Sequence, residues 1–285
     1  MRLVTSSTVT GRWVEAAERG LGLLAARLDA DVQRVRAEES ASRHRVLDGL
    51  GREGVDLIFC VGPGFERAVF TEAPVWPETT FVLLSSRARG DNVASIRFFP
   101  EGAGYVAGKV AAALAVDAEV GVLRGAGGEW LEGLETGFVR GVRSARRGVA
   151  PPVAQGAEGP WQLRDAGVRV ALYAADEADP ETLAAAHDAG LYLVASYARL
   201  LDSEPDVVVA AIDVAVAEAM LRVATEVVDG TFRGQVYGFD LGSGVLDVRL
   251  NRTMPTARLP TVQEALDTGR TEVTAGYVEV EQLGM

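Results

Sequence analysis

Few residues in this 285-residue sequence could do acid–base or nucleophilic chemistry. It holds two histidines, His44 and His187, and one cysteine, Cys60. Neither histidine lies near a nucleophile along the chain, and we expect both to be solvated or to cap helices. Cys60 falls inside the apolar run 55–61, which predicts a small buried side chain rather than a reactive thiol. The sequence therefore provides no positive case for catalysis.

Three segments resemble motifs of nucleotide-binding proteins but do not complete them. Asp176-Glu177-Ala178-Asp179 spells a helicase signature, yet the chain lacks the phosphate-binding loop GxxxxGK[ST] that this chemistry needs. We interpret the segment as an acidic loop that caps the helix beginning after it. Gly62-Pro63-Gly64 and Gly125-Ala126-Gly127-Gly128 each follow a strand and precede a helix, without completing GxGxxG. Turns of this kind can present main-chain amides to a ligand.

The composition excludes several classes of protein. Apolar residues make up 48% and charged residues 24%, which are ordinary globular proportions. With 40 acidic and 28 basic residues the net charge is −12, so nucleic acid is not expected as the main partner. No stretch approaches 18 consecutive apolar residues, and no membrane span is expected. Scarce histidine and cysteine predict no metal site, and we expect no cofactor.

Short β-branched runs alternate with longer amphipathic stretches, which predicts an α/β fold with parallel sheets. The predicted strands are 2–6, 55–61, 80–85, 93–98, 119–124, 168–174, 190–195, 207–212, 234–240 and 245–250. The predicted helices are 12–28, 40–51, 64–71, 101–115, 128–145, 180–188 and 213–229. For the last helix we expect Asp213 as N-cap and Gly230 just past the end. The Gly-rich stretch 156–160 predicts a surface loop.

About ten strands are more than one five- or six-stranded unit needs, so the pattern predicts two similar α/β lobes, the second starting near residue 99. Several segments then carry family-like motifs in a fixed order: GREGVDLIFCVG (51–62), FFPEGAGYVAG (98–108), VGVLRG (120–125), LETGF (134–138), DVAV (213–216) and DGTFRG (229–234). With 238–245 and the tail 269–280, they resemble the basic membrane lipoprotein family of solute-binding proteins. This family, also called PnrA-like, binds purine nucleosides for ABC importers. The resemblance covers nearly the whole chain.

The resemblance implies a type I periplasmic-binding-protein fold, in which two Rossmann-like lobes with parallel sheets close on a ligand by hinge motion. Its three crossovers would fall near 97–100, 212 and 238–241. Lobe I would then comprise 1–98 plus 213–238, and lobe II 99–212 plus 239–285, with the assignment of the C-terminal tail left open. Loops at the carboxyl ends of the strands would line the cleft.

At the family's binding positions this chain has different residues. In the opening motif D-x-S-F-N-Q, the aspartate falls at Thr10, the serine at Arg12 and the asparagine at Val14, while Trp13 replaces the stacking phenylalanine. Further along the chain, the family's second aspartate falls at Gly127, its glycine-rich turn at 176–179 and its second stacking phenylalanine at Leu183. Its acidic pair falls around 196–199, and its ligand-binding lysine at Ala210. A nucleoside site uses fixed carboxylates for ribose and base, so the sequence disfavours purine nucleoside specificity. A small aromatic or amphipathic molecule fits the replacements better.

The ligand-binding residues predicted on this basis are Ser7, Trp13, Phe65, Ser86, Gly127, Trp130, Leu183, Ser196, Tyr197 and Asp240. For each aromatic residue, packing in the core of a lobe is the alternative. No catalytic and no metal-binding residue is predicted.

Three function classes stay open. The first is an extracytoplasmic solute-binding protein, periplasmic or membrane-anchored, whose partners are a small molecule and an ABC permease. Any contact with the membrane would go through a lipid anchor absent from this chain. The second is a cytoplasmic ligand-sensing or regulatory protein of the same fold, and the third is an enzyme on a Rossmann-like scaffold. The N-terminus reads as a strand with no signal sequence before it, so the reading frame upstream of Met1 would discriminate the first two classes.

Overall fold

The computed structural model describes residues 1–6, 11–37, 40–62 and 64–278. The chain divides into two compact units. Unit 1 comprises Met1–Phe98 and Ala215–Phe239, and unit 2 comprises Phe99–Val214 and Asp240–Met285. The chain therefore passes between the units three times.

Unit 1 is built on a six-stranded sheet in which every pair is parallel. Across the sheet the strands are β11 (Val236–Phe239), β5 (Val93–Phe98), β4 (Thr80–Leu84), β3 (Leu57–Val61), β1 (Arg2–Thr5) and β2 (Gln33–Arg36). The helices of the unit are α1 (Arg12–Leu28), α2 (Ser40–Arg52), α3 (Glu66–Glu72) and α9 (Val216–Val228). All five residues of β3 and of β4 are buried, as expected for central parallel strands covered on both faces.

Unit 2 repeats the plan with one antiparallel strand. Its order is β12 (Leu246–Leu250), β10 (Val208–Val214), β9 (Tyr192–Ala195), β8 (Val168–Ala174), β6 (Glu119–Arg124) and β7 (Val153–Gln155), and only the β10–β12 pair is antiparallel. Its helices are α4 (Glu101–Leu114), α5 (Glu129–Ala145), α6 (Gly159–Asp165), α7 (Pro180–Asp188), α8 (Leu200–Ser203) and α10 (Pro260–Thr274). Two short 3-10 turns lie at Leu241–Ser243 and Thr256–Arg258.

The second sheet separates two hydrophobic clusters. Along β8, Val170 and Leu172 belong to the cluster that includes residues of α4, α5 and α10, whereas Ala171 and Tyr173 belong to the one that includes residues of α6 and α7. This alternation follows from the two-residue period of a strand. Because both faces are covered, the strand is apolar and buried from Val170 onward rather than alternating, with Arg169 exposed near its start.

Helices α4 and α5 pack with their backbones in contact, and glycine permits this approach. A Cβ built on Gly104 would lie 2.2 Å from the carbonyl oxygen of Leu134, and one on Gly108 2.1 Å from that of Phe138. On the facing helix, a Cβ on Gly137 would lie 2.0 Å from the carbonyl oxygen of Glu101. Any side chain at these positions would push the helices apart. The pair forms the centre of unit 2, with Leu134 and Phe138 fully buried.

The α/β prediction is confirmed, with differences at particular elements. Asp213 is not an N-cap: it lies in β10, paired with Asp247 of β12, and helix α9 begins after Ala215. Gly230 does follow the end of α9, with φ of +68°. The predicted loop 156–160 instead contains the start of α6, with Pro160 in its first turn. The elements that the pattern did not predict are β2, β7, α6, α8 and α10.

Two of the unpredicted elements are short strands at the edges of the sheets. Strand β2 reads Gln-Arg-Val-Arg and is largely exposed, and β7 has one buried residue of three. Their backbones pair with β1 and β6, so the sheet determines them rather than their own side chains. No helix in the described ranges is long and apolar enough to cross a membrane.

Candidate ligand-binding site

The parallel strands of unit 1 all end at one edge of their sheet, here called carboxyl edge 1. The last residues of β1, β3, β4, β5 and β11 are Thr5, Val61, Leu84, Phe98 and Phe239. The loops after these strands, together with the first turn of α1, carry the polar and aromatic side chains described next. Open α/β sheets generally bind ligands at such an edge.

An aromatic cluster lies at carboxyl edge 1. The ring of Trp13, in the first turn of α1, stacks on that of Phe98 with centroids 5.5 Å apart and 20° between planes. Phe98 in turn lies 6.1 Å from Phe239 in a tilted arrangement. The guanidinium of Arg12 is 4.7 Å from the Trp13 ring centroid, and that of Arg222 is 5.8 Å from the Phe239 centroid, both within cation–π range. The cluster is therefore apolar in its centre and cationic at its margin.

A second group at this edge centres on Arg43 of α2. Its Nη2 donates to the hydroxyl of Ser6, 3.3 Å away, and its guanidinium lies 5.1 Å over the ring of Phe65. The Nε of Arg43 is buried and has no hydrogen-bond partner among the described residues. A buried N–H donor without a partner is costly, so this guanidinium has hydrogen-bonding capacity left for a ligand or for water.

Ser86, predicted as a site residue, follows β4 and orders its loop. Its hydroxyl donates to Glu66 Oε1 at 2.6 Å and accepts from the Ala88 N–H at 3.0 Å. The preceding residue, Ser85, has φ of +61°, in the left-handed region that non-glycine residues seldom occupy. Such a conformation costs energy and persists only where surrounding contacts impose it.

Unit 2 has its own carboxyl edge, called carboxyl edge 2, formed by the ends of β6, β7 and β8. A cavity of about 940 Å³ lies there. Its lining combines backbone-rich turns with an acidic loop: Arg124, Gly125, Ala126, Gly127, Gln155, Gly156, Tyr173, Asp176, Glu177, Ala178, Asp179, Pro180 and Thr182. This volume lies near the upper end of the range typical of small-molecule sites.

The acidic loop 176–179 is held by specific hydrogen bonds. The Tyr173 hydroxyl accepts from the Asp179 N–H at 3.0 Å, and burial raises the pKa of this phenol. Asp179 caps α7, its carboxylate accepting from the Glu181 N–H at 3.2 Å and from the Thr182 hydroxyl at 2.6 Å. The sequence-based interpretation of the segment as a helix-capping acidic loop is confirmed.

Gly127 lines this cavity and lies close to Asp176. A Cβ at Gly127 would be 2.9 Å from Asp176 Oδ2 and would overlap the side chain of Leu131. The Asp176 N–H also donates to the carbonyl of Ala126 at 2.9 Å. The glycine turn after β6 and the acidic loop after β8 therefore form one continuous wall.

The other predicted residues have varied surroundings. Phe65 is fully buried and Leu183 nearly so, each in a hydrophobic cluster of its own unit. The buried Ser196 hydroxyl donates to the carbonyl of Ala175 at 2.5 Å. Trp130 and Tyr197 are half-buried, Asp240 accepts from the Ser243 N–H at the turn after β11, and Ser7 lies outside the described residues.

Phe98, Phe239 and Arg43 were not among the predicted site residues. A usable signal existed for the first two, because each is an aromatic residue that ends a parallel strand and so must reach the carboxyl edge. Arg43 had none, since it is one of several arginines on the charged helix α2 and only the tertiary structure brings it to Ser6.

The described residues contain no group of His, Cys, Asp and Glu that could hold a metal ion. Cys60 is fully buried, as predicted, and burial raises the pKa of its thiol. His44 contacts Glu72 at 3.2 Å, and His187 contacts its neighbour Asp188 at 3.3 Å. The arrangement is suited to holding a molecule by stacking and hydrogen bonding.

Among solved structures, one described as a transcriptional activator of the comK gene from Bacillus halodurans covers 96% of this chain and 98% of its own, with 23% identity and a TM-score of 0.83. A solute-binding protein of an ABC transporter system from Conexibacter woesei superposes with a TM-score of 0.77 at 17% identity, covering 99% of this chain and 98% of its own. A solute-binding protein from Aeropyrum pernix superposes with a TM-score of 0.73 at 20% identity, covering 98% of this chain and 92% of its own. These likenesses establish the periplasmic-binding-protein fold.

Sequence comparison agrees with this fold. The transcriptional activator protein Med of Bacillus subtilis is 22% identical over 250 residues, which is 83% of this chain and 77% of that protein. Residues 12–148 match the family of PnrA-like ABC transporter substrate-binding proteins. The resemblance of this chain to the PnrA-like family of ABC transporter substrate-binding proteins is therefore confirmed, with the family's model matching residues 12–148.

Proposed function

We propose that this chain binds a small aromatic or amphipathic molecule at carboxyl edge 1 and delivers it to an ABC permease. The observation that carries the proposal is the stack of Trp13 on Phe98 at carboxyl edge 1. An indole supported on one side by another ring is a pre-organised surface for a planar ligand, because little side-chain entropy remains to be lost on binding.

The polar groups near the stack favour a ligand with a polar or anionic substituent. Arg12 lies against Trp13, and the Nε of Arg43, whose Nη2 donates to Ser6, has no hydrogen-bond partner in the part of the chain that the structure describes. Both guanidiniums carry donors that match a carboxylate or phosphate oxygen. A purine nucleoside fits less well, because Arg12 and Val14 occupy the positions of the family's serine and asparagine.

A thermal-shift screen with nucleosides, bases, amino acids and vitamins tests the proposal. A ligand present at 100 times its Kd should stabilise the protein by about 2.7 kcal/mol. Trp13→Ala should abolish the shift given by the best compound. Trp161→Ala is the matched control, because Trp161 is a part-exposed tryptophan on α6 beside Arg164. Equal shifts in wild type and Trp13→Ala would contradict the stacking role, and a clear shift with guanosine or inosine would contradict the proposed ligand class.

A second candidate function is ligand-dependent regulation inside the cell. It is favoured by the TM-score of 0.83 with the comK activator, above those of the two solute-binding proteins, and by the similarity to Med. Subcellular fractionation of the native gene product separates the two functions. A protein processed at a lipobox cysteine and recovered with the membrane supports delivery to a permease. A cytoplasmic protein whose deletion alters transcription supports regulation.

We further propose that the chain acts by binding alone and is not an enzyme. The family consists of substrate-binding proteins, and the buried Cys60 thiol is poorly placed to act as a nucleophile. Recovery of the bound compound unchanged after prolonged incubation is the expected result, and mass spectrometry of the released compound measures it.

A further inference from the structure

A second large groove lies in unit 2 along strand β12, the last strand of its sheet. The groove has a volume of about 1000 Å³. Seven consecutive residues, 247–253, line it, and α10 provides the opposite wall through Gln263, Leu266 and Arg270. Successive residues of a strand point to opposite faces, so a groove that touches all of them runs along the outer edge of the strand rather than over one face. Among the described residues, no strand pairs with this edge.

The main-chain pattern shows which groups this edge presents. Asn251 donates its N–H to Val209 of β10, so odd-numbered positions of the strand pair inward. The main-chain N–H and carbonyl groups of Val248 and Leu250 therefore point toward the groove. Val248 and Leu250 are two residues apart, which is the spacing at which a strand forms hydrogen bonds with one neighbouring strand.

At Val248, side chains already form the two main-chain hydrogen bonds that an added strand would form. The Val248 N–H donates to Asp247 Oδ1 at 2.8 Å, and its carbonyl accepts from Arg270 Nη2 at 3.0 Å. Arg270 also makes a bidentate pair with the Asp247 carboxylate, at 2.8 and 2.9 Å. The Val248 donor and acceptor are thus occupied by side chains, and an added strand would take the place of the Asp247–Arg270 pair there.

The groove is cationic in a chain of net charge −12. Four arginines line it, at 249, 252, 258 and 270, against two carboxylates, Asp202 and Asp247. Arg270 is neutralised by Asp247, and Arg249 pairs with Asp213 at 3.3 Å. Arg252 and Arg258 are exposed and form no ion pair within the described part of the chain. The uncompensated charge therefore lies at the end of the groove where the strand runs into the following turn.

We propose that this groove binds an extended, acidic peptide segment of a partner protein, which adds as a strand beside β12. Main-chain hydrogen bonds to Val248 and Leu250 would provide the pairing, and Arg252 and Arg258 would select for acidic side chains. The outer edge of β12, which lines the groove along seven consecutive residues, matches a peptide in extended conformation. A purely electrostatic partner would not use this edge.

Fluorescence anisotropy with a labelled peptide, Glu-Val-Glu-Thr-Glu-Val, tests the proposal on the full chain. We expect binding, with Arg252→Glu/Arg258→Glu about tenfold weaker. Arg45→Glu, an exposed arginine on α2 of unit 1, is the matched control and should bind as the wild type does. Circular dichroism of each variant separates loss of binding from loss of fold.

Two N-methylated versions of the peptide test the strand geometry, one methylated at odd residues and the other at even residues. N-methylation removes a main-chain donor, and only every second N–H of the bound peptide would face β12 and donate to it. One version should therefore lose binding and the other should keep it. Equal effects of the two versions would overturn strand addition. Absence of binding, equal affinity of a lysine-for-glutamate peptide, or displacement of the peptide by a short DNA duplex would overturn the assignment to an acidic peptide.

Discussion

The indole of Trp13 lies on the ring of Phe98, with 5.5 Å between centroids and 20° between planes. The two residues are 85 positions apart, one at the start of α1 and the other at the end of β5. Their contact depends on a general property of parallel sheets, since helices that follow strands begin at the edge where other strands end. Phe98 therefore supports the ring of Trp13 at carboxyl edge 1.

The first prediction concerns the energy of this stack. Trp13→Ala, Phe98→Ala and the double variant should show a coupling of about 0.5–1.5 kcal/mol in the free energy of unfolding, beyond the loss of buried area. Urea denaturation measures it. A cycle on the more distant pair Phe232 and Tyr237, whose centroids are 6.4 Å apart, provides a comparison. Strictly additive losses for Trp13 and Phe98 would show that the stack has no energy of its own.

The second prediction concerns the close contact of α4 and α5. Gly137→Ala should lower the free energy of unfolding by about 1–3 kcal/mol, because its Cβ would overlap the Glu101 carbonyl. Gly49→Ala is the matched control, a glycine in α2 with nothing within 4 Å of a built Cβ. It should stabilise the protein by about 0.5–1 kcal/mol. Similar changes for both substitutions would mean that the helices can separate at little cost.

The third prediction concerns pH and the attachment of α10 to α4. The Glu272 carboxylate accepts from Lys109 at 2.6 Å and from the Tyr105 hydroxyl at 2.8 Å. Burial raises the pKa of Glu272, but these bonds and the Lys109 charge outweigh burial and hold the pKa below 4.5. A depressed folded-state pKa means that the stabilisation is present above pH 4.5 and is lost as the pH falls through the lower folded value.

Urea midpoints measured from pH 6 downward should therefore fall less steeply below pH 4.5 in Glu272→Gln than in wild type. Glu264→Gln, an exposed glutamate on the same helix, should follow the wild-type curve. Parallel curves for wild type and Glu272→Gln would show that the Lys109 pair contributes nothing to acid sensitivity.

The fourth prediction compares Asp179 and Asp213, two aspartates that the sequence places at the start of a predicted helix. Asp179→Ala should cost about 1 kcal/mol, because its side chain caps α7. Asp213→Ala should cost little, because this residue lies in β10 and its partner Arg249 is exposed. Thermal unfolding of both variants measures the difference. A larger loss for Asp213 would contradict the strand assignment.

The sequence alone determined the periodic elements of this protein. Fully apolar runs such as 57–61 and the stripe Leu131, Leu134, Phe138 and Val142 could be assigned without coordinates, because burial on both faces or on one helical face leaves a direct pattern. The acidic cap of α7 was predictable for the same reason, since its signal is local. Family motifs then indicated the fold, because their order and spacing extend along the chain.

Only the tertiary structure decided where the contacts lie. Strands β2 and β7 exist through pairing with neighbours, and Asp213 is a strand residue because β12 extends its ladder. Trp13 meets Phe98, and Arg43 meets Ser6, although nothing in their local sequence indicates these contacts. The physical reason is that local patterns record whether a side chain is buried or exposed, whereas a binding surface depends on which distant residues the sheet brings to the same edge.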